Sequence, residues 1–251
     1  MKHAQGGRVC LSRVKRQTQA SIILGIPLAT LDDAGHGSRG AADERPAIAA
    51  DLSAYVVGKP RSVVLMTGAS GTGKSSILAM AMRQLRARGV LIQRCDASAL
   101  ASEGRRVVEM SPRTSTRAWL RFLADAGLAE ARLLNRRARE LSDGQRSRLA
   151  LALMLASAAR ARRPSVLMVD EFLALLDRTT AMSCAASVAR SIRRCNQAPE
   201  SSLIVATSHD DLADALRPDL HITLDPRRPA QRHARAPDAG APTTPEPGEL
   251  A

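Results

Sequence analysis

An α/β fold, with a mostly parallel sheet flanked by helices, is what the sequence predicts, and two observations carry that prediction. Between residues 61 and 225, strand-like apolar runs alternate with helical segments, and the runs are apolar at consecutive positions rather than at every second one. A strand covered on both faces needs apolar side chains on both, whereas a strand with one wet face alternates. The 251 residues, 45% of them hydrophobic, are enough for one substantial core without disulfide or metal staples.

In chain order the expected strands are SVVLMTG (62–68), VLIQRC (90–95), RRVVEM (105–110), SVLMVD (165–170), SLIVATS (202–208) and LHITL (220–224). Helices are expected near 74–88, 115–126, 143–161, 179–195 and 210–216, where alanines and long apolar side chains recur at helical spacing. Residues 1–60 are mixed, with a Gly-, Asp- and Ala-rich passage at 32–51 expected as loop with short strands at most. From 226 to 251 the chain is proline-rich and nearly free of large apolar residues, so a disordered tail is expected.

Charge and composition narrow the function classes. The net charge of +13 points to an anionic partner such as nucleic acid or a membrane surface, although the arginines are scattered, as on a solvated surface. Only four aromatic residues occur (Tyr55, Trp119, Phe122, Phe172), which leaves no stacking platform for single-stranded nucleic acid. Cys10, Cys95, Cys184 and Cys195 lack metal-ligand spacing and are expected as free thiols in a reducing cytoplasm. The longest apolar windows, 21–31 and 151–159, fall short of the roughly 20 residues that span a bilayer.

The chemistry begins at GASGTGKS, residues 68–75, which lies between a strand and a helix. The pattern G-x-x-x-x-G-K-[ST] in that context is a phosphate-binding loop. Backbone N–H groups of Gly68, Ala69, Ser70, Gly71, Thr72, Gly73 and Ser76 surround the phosphates, Lys74 adds a positive charge, and Ser75 reaches Mg2+. The run SVLMVDE then delivers Asp170 to the carboxyl end of a buried strand, where it can hold the same metal. Glu171, one residue on, can take a proton from water; the alternative is that both acids merely cap the next segment. His209 ends another buried strand, either as a structural histidine or as a γ-phosphate sensor.

LSDGQ, residues 141–145, has two roles open to it. Ser142 and Gln145 have the spacing of a capping box, which accounts for a helix start. Gly144 is a poor helix former in the first turn and suggests that something approaches the backbone there, as a phosphate held by another chain would.

GASGTGKS, LSDGQ, VLMVDE, ALLDR (174–178) and TSHDD, in that order, resemble the ATPase domain of the ATP-binding cassette (ABC) superfamily over about residues 61–225. The resemblance implies a P-loop NTPase fold with a helical subdomain carrying the signature LSDGQ. It implies ATP and Mg2+ as ligands of Lys74, Ser75 and Asp170, Glu171 as hydrolytic base, and His209 at the γ-phosphate. Asp177 would join the loop that communicates between sites, and Ser142, Gly144 and Gln145 would serve ATP bound by a second copy in a homodimer. The runs around LSDGQ, VDEFLALLDRTTA and VATSHDDLADALRPDL are similar to soluble cassette ATPases fused to a predicted acetyltransferase domain; the 26-residue tail is too short to hold that domain.

Two departures argue against a membrane permease as partner. The only glutamines between Ser75 and Leu141 are Gln84 and Gln93, so the glutamine loop has no clear counterpart, and RRVVEMSP (105–112) with Glu109 is the nearest occupant of its place. The 68 positions from Lys74 to Ser142 also leave only a reduced helical subdomain. No aromatic residue has the spacing to stack on adenine, Tyr55 included. The expectation is a soluble ATPase that dimerises around ATP and acts on a nucleic-acid or protein partner, with a transporter subunit as the alternative.

Overall fold

Parity along the strands decides which face of the sheet each side chain covers. The computed structural model describes residues 43–194 and 200–235; Cys10, Cys195, the tail beyond 235 and the expected loop as far as residue 42 lie outside them. Strands β1 (Val63–Gly68), β2 (Leu91–Arg94), β3 (Ser165–Val169), β4 (Ser201–Thr207), β5 (Leu220–Asp225) and β6 (Arg228–Ala234) form one sheet in the order β2-β3-β4-β1-β5-β6. All neighbours are parallel except β5 and β6.

Val64, Met66, Val166, Met168 and Ile204 pack against helices α1 (Arg45–Gly58) and α2 (Lys74–Ala87). The intervening residues Val63, Leu65, Leu167, Val169, Leu203 and Val205 join a second core. That core is covered by α3 (Thr116–Asp125), α5 (Asp143–Ala159), α6 (Arg178–Arg194) and α7 (Leu212–Leu216). Both faces are therefore dry, which is why the strands are apolar throughout.

Between β2 and α5 lies a small helical subdomain: α3, the short α4 (Ala131–Leu134), and 3-10 turns at Ser98–Ser102, Val107–Met110 and Ala138–Glu140. Ser115 caps α3 by accepting the Ala118 N–H at 3.2 Å. Trp119 is fully buried in the subdomain and its indole N–H donates to the Val107 carbonyl at 3.0 Å.

Three local expectations are corrected. RRVVEM is not a strand: Arg106 makes a single antiparallel bridge with Arg137, and the chain then turns into a 3-10 helix. The Glu109 carboxylate accepts the Arg106 N–H at 3.1 Å, closing the turn and leaving no run long enough to pair. Residues 45–58, expected as loop and short strand, are helical. Pro46 fits the first turn of a helix, and Ile48, Ala49, Leu52 and Val56 form a stripe buried against α2.

The third correction concerns the chain after 226, expected as disordered, where residues 228–234 add an antiparallel edge strand. The hydrogen-bonded ladder to β5 does not need apolar side chains, and β6 is exposed along nearly all of its length. Its position is reinforced from α1: the Ala230 N–H donates to the Glu44 carboxylate at 3.2 Å, and Arg232 pairs with Asp51 at 3.1 Å.

The β5–β6 ladder sets a pH response. His221 faces His233 across the ladder and lies 2.9 Å from the Thr67 hydroxyl. Partial burial pushes its pKa below the ordinary 6.5; Asp210 opposes the shift and His233 reinforces it. As pH falls the unfolded chain takes up this proton first. The stability is therefore complete above about pH 6.5 and is lost as pH falls toward the lowered folded value. A falling melting temperature from pH 7.5 to 5 is expected, with a shallower slope in His221→Gln; identical slopes in parent and variant would rule His221 out as the group responsible.

Candidate functional site

Parallel strands align their carboxyl ends, and the sheet order decides which ends meet. Strand β4 lies between β3 and β1, so the residues leaving β3 and β1 are two strand spacings, about 10 Å, apart. Thr67 and Thr207 are register partners at the ends of β1 and β4, and Val169 pairs with Val205 two residues earlier. These ends open onto a cleft of about 420 Å³.

The cleft is lined by Ser70, Gly71, Gly73, Lys74, Ser75 and Ser76 from the loop after β1, by Asp170, Glu171 and Ala174 after β3, by Thr207 and Ser208 at the end of β4, and by Arg45. Half of the residues expected to handle nucleotide and metal are thus brought together. Gly68, Ala69 and Thr72 belong to the same loop without lining the cleft. The Thr72 hydroxyl donates to the Ala69 carbonyl at 2.9 Å and pins the loop.

Gly73 stands before the first residue of α2 with φ of 95°, a conformation that an L side chain disfavours, and this tight turn brings Lys74 onto the helix start. The Lys74 ammonium donates to the carbonyls of Gly68 and Ala69 at 2.6 and 2.8 Å, which holds the charge over the loop. The Ser75 hydroxyl and Asp170 carboxylate line one cleft and are hard oxygen donors of the kind Mg2+ takes, so the residues present fit that ion.

Glu171 follows with φ of 51° and Leu173 with φ of 56°. Two left-handed non-glycine residues so close together are costly and persist only where the surroundings over-determine them. Here the Phe172 N–H donates to the Ala206 carbonyl at 2.8 Å and the Phe172 side chain is fully buried, which fixes the turn that aims Glu171 into the cleft.

Other predicted residues lie elsewhere. His209 is one residue beyond the lining; its N–H donates to the Thr207 hydroxyl at 3.3 Å. Asp177 is a cap at the start of α6. Its carboxylate accepts the Thr180 N–H at 2.9 Å, and the Thr180 N–H and hydroxyl hold its pKa below the usual carboxylate value. Tyr55 points away on α1 and donates to the Asp219 carbonyl at 3.0 Å. Glu109 is occupied in closing its own turn.

The signature segment begins α5 and lines a different surface from the cleft. Ser142 accepts the Gln145 N–H at 3.3 Å while the Gln145 amide oxygen accepts the Ser142 N–H at 3.1 Å, a complete capping box. Gly144 needs no external phosphate to explain it. A Cβ there would lie 3.2 Å from Leu176 Cδ2 and 3.3 Å from the Leu175 carbonyl oxygen, so the close approach comes from the chain's own loop. Leu175 is 65% exposed, the most exposed large apolar side chain among the described residues.

Arg45 was missed because it stands at the start of a helix in a stretch expected as loop. Its only sequence signals were the following proline and the apolar spacing of 48, 49, 52 and 56.

Comparison with known proteins bears on the family and the fold. The chain matches the family model described as AAA ATPase domain over residues 42–193, more than half its length. No match is found among curated proteins. Among solved structures it resembles an ABC transporter ATP-binding protein from Pyrococcus furiosus, with 13% identity and a TM-score of 0.50 over 66% of this chain and 85% of that one. A bacterial ABC transporter cassette solved as a dimer is 18% identical over 70% of this chain and 86% of that one, with a TM-score of 0.49. At such identity the likeness concerns the fold. Among the described residues no helix is long and apolar enough to cross a membrane. The chain belongs to the AAA ATPase domain family, and its fold is similar to that of the Pyrococcus furiosus protein.

Proposed function

We propose that this chain binds ATP with Mg2+ and hydrolyses it, as one half of a homodimer that acts on a nucleic-acid or protein partner. The observation that carries the proposal is the single cleft that gathers Lys74, Ser75, Asp170 and Glu171 from two strand ends. In it Lys74 meets the β and γ phosphates. Ser75 and Asp170 would hold Mg2+, which would supply positive charge to offset that of the phosphates. Glu171 takes the proton of the attacking water, and His209, beside the lining, orients toward the γ-phosphate.

The signature segment with Ser142, Gly144 and Gln145 lies outside this cleft, so it serves ATP only if a second copy brings it there. Exposed Leu175, on the loop that Gly144 seats and two residues before Asp177, supports a protein surface at that place. The transporter-subunit reading draws on the description of the Pyrococcus furiosus neighbour and is disfavoured by the small helical subdomain. Co-purification with a polytopic membrane protein would select it, whereas ATPase stimulation by DNA or RNA would select the first.

Lys74→Ala is expected to weaken ATP binding by at least about 10-fold, because a hydrogen-bonded charge on the phosphates is lost. Titration calorimetry checks this. Parental affinity and turnover in that variant would end the nucleotide assignment.

A further inference from the structure

We propose that Arg45 is a second phosphate-binding cation of the cleft, reaching the nucleotide from a helix that precedes the P-loop in the chain. The proposal rests on the nucleotide reading above and names a residue that reading did not use. Arg45 lines the same cleft as Lys74, Ser75, Asp170 and Glu171. Its side chain lies directly over the last glycine of the loop. A Cβ on Gly73 would stand 3.0 Å from Arg45 Cδ, 3.8 Å from Cγ and 3.9 Å from Nη1. The missing side chain at Gly73 is thus what lets the guanidinium stem lie against the phosphate loop.

Charge gives the placement a purpose. Without Arg45 the lining would carry one cation, Lys74, against the two carboxylates Asp170 and Glu171, a poor site for a polyanion. Arg45 balances the lining, and a guanidinium presents several donors in a fixed fork suited to phosphate oxygens.

The support behind Arg45 is rigid. Helix α1 buries Ile48, Ala49, Leu52 and Val56 in the core it shares with Ile77, Leu78, Ala81 and Leu85 of α2. The Ser53 hydroxyl, which donates to the Ala49 carbonyl of its own helix at 2.7 Å, lies 3.4 Å from the Ala81 carbonyl of α2, so the two helices meet closely there. Glu44, the residue before Arg45, is tied to strand β6 through the Ala230 N–H. The edge strand and α1 therefore act together as a mount that fixes Arg45 beside Gly73. A residue held this way loses little side-chain freedom on meeting a ligand.

The test is titration calorimetry of the full chain with ATP and, separately, with inorganic tripolyphosphate, which has no base or sugar. Arg45→Ala and Arg45→Gln are compared with Arg45→Lys, Lys74→Ala and the parent, each checked for folding by circular dichroism. Arg45→Gln keeps the stem over Gly73, so it remains informative if Arg45→Ala unfolds. The expected result is a roughly 10-fold loss of affinity for both ligands in the Ala and Gln variants, partial recovery in the Lys variant, and a weaker dependence of affinity on salt.

Parental affinity in Arg45→Gln, with Lys74→Ala impaired, overturns the proposal and leaves the nucleotide reading standing. A loss for ATP without a loss for tripolyphosphate also overturns it, since Arg45 would then contact base or ribose. A parent that binds neither ligand overturns both.

Discussion

Glu171→Gln is expected to lower ATP turnover by about 10²–10⁴-fold while ATP binding persists. The substitution keeps the shape of the side chain and removes its ability to take a proton. The backbone has little reason to move: Phe172 is fully buried and its N–H is bonded to Ala206, so the left-handed turn at residue 171 is held from the β4 side. Phosphate release measures the first part, and a variant as fast as the parent would place the base elsewhere. Retained ATP that is not consumed should also accumulate the dimer. Light scattering of Glu171→Gln with ATP and Mg2+ is expected to give twice the monomer mass. A monomer there would mean that the signature segment does not serve a neighbour's nucleotide.

Trp119→Ala should destabilise the chain by about 3–5 kcal/mol, the range for truncating a large buried aromatic side chain. Trp119 is 0% exposed and packs in the core that joins the helical subdomain to the sheet. Its loss leaves a cavity and also orphans the Val107 carbonyl, which now accepts the indole N–H. Trp119→Phe keeps most of the apolar contact and is expected to cost less. Urea unfolding followed by far-ultraviolet circular dichroism measures both. A cost below about 1 kcal/mol for Trp119→Ala would show that the site collapses around the missing ring. The consequence for the candidate site is indirect: the subdomain leads into Leu141 and Ser142, so loosening it loosens the start of α5.

Much of the candidate site was legible because its signals are local. Glycine spacing, the strand before it and the helix after it identify residues 68–76. Unbroken apolar runs ending in Asp170 and in His209 identify buried strands that open on the same edge. The capping box at Ser142 and Gln145 is likewise written within four residues, and its hydrogen bonds are those the spacing implies. In each case the residues that make the interaction are sequence neighbours, so the pattern and the physics coincide.

What failed to show depends on partners far away in the chain. Residues 105–110 look like a strand, but they do not join the sheet and Glu109 turns the chain at once. Residues 228–234 look like a polar tail, yet β5 presents an open edge and backbone pairing asks nothing of side-chain polarity. The Leu175 carbonyl and the Leu176 side chain lie close against Gly144, a contact that the spacing of LSDGQ does not show. Arg45 carried no motif, and only the packing of α1 on α2 places it over Gly73.

The sequence by itself therefore determined the fold class, the glycine-rich loop expected to hold phosphate and the acids expected to work with it, because hydrophobic parity and short-range capping are properties of adjacent residues. Only the tertiary structure decided which groups share the cleft, how closely Leu175 and Leu176 approach Gly144, and that residues 228–234 extend the sheet beyond β5. Those outcomes rest on contacts between segments distant in sequence, where steric fit and an unpaired backbone edge select the partner and neither leaves a local pattern.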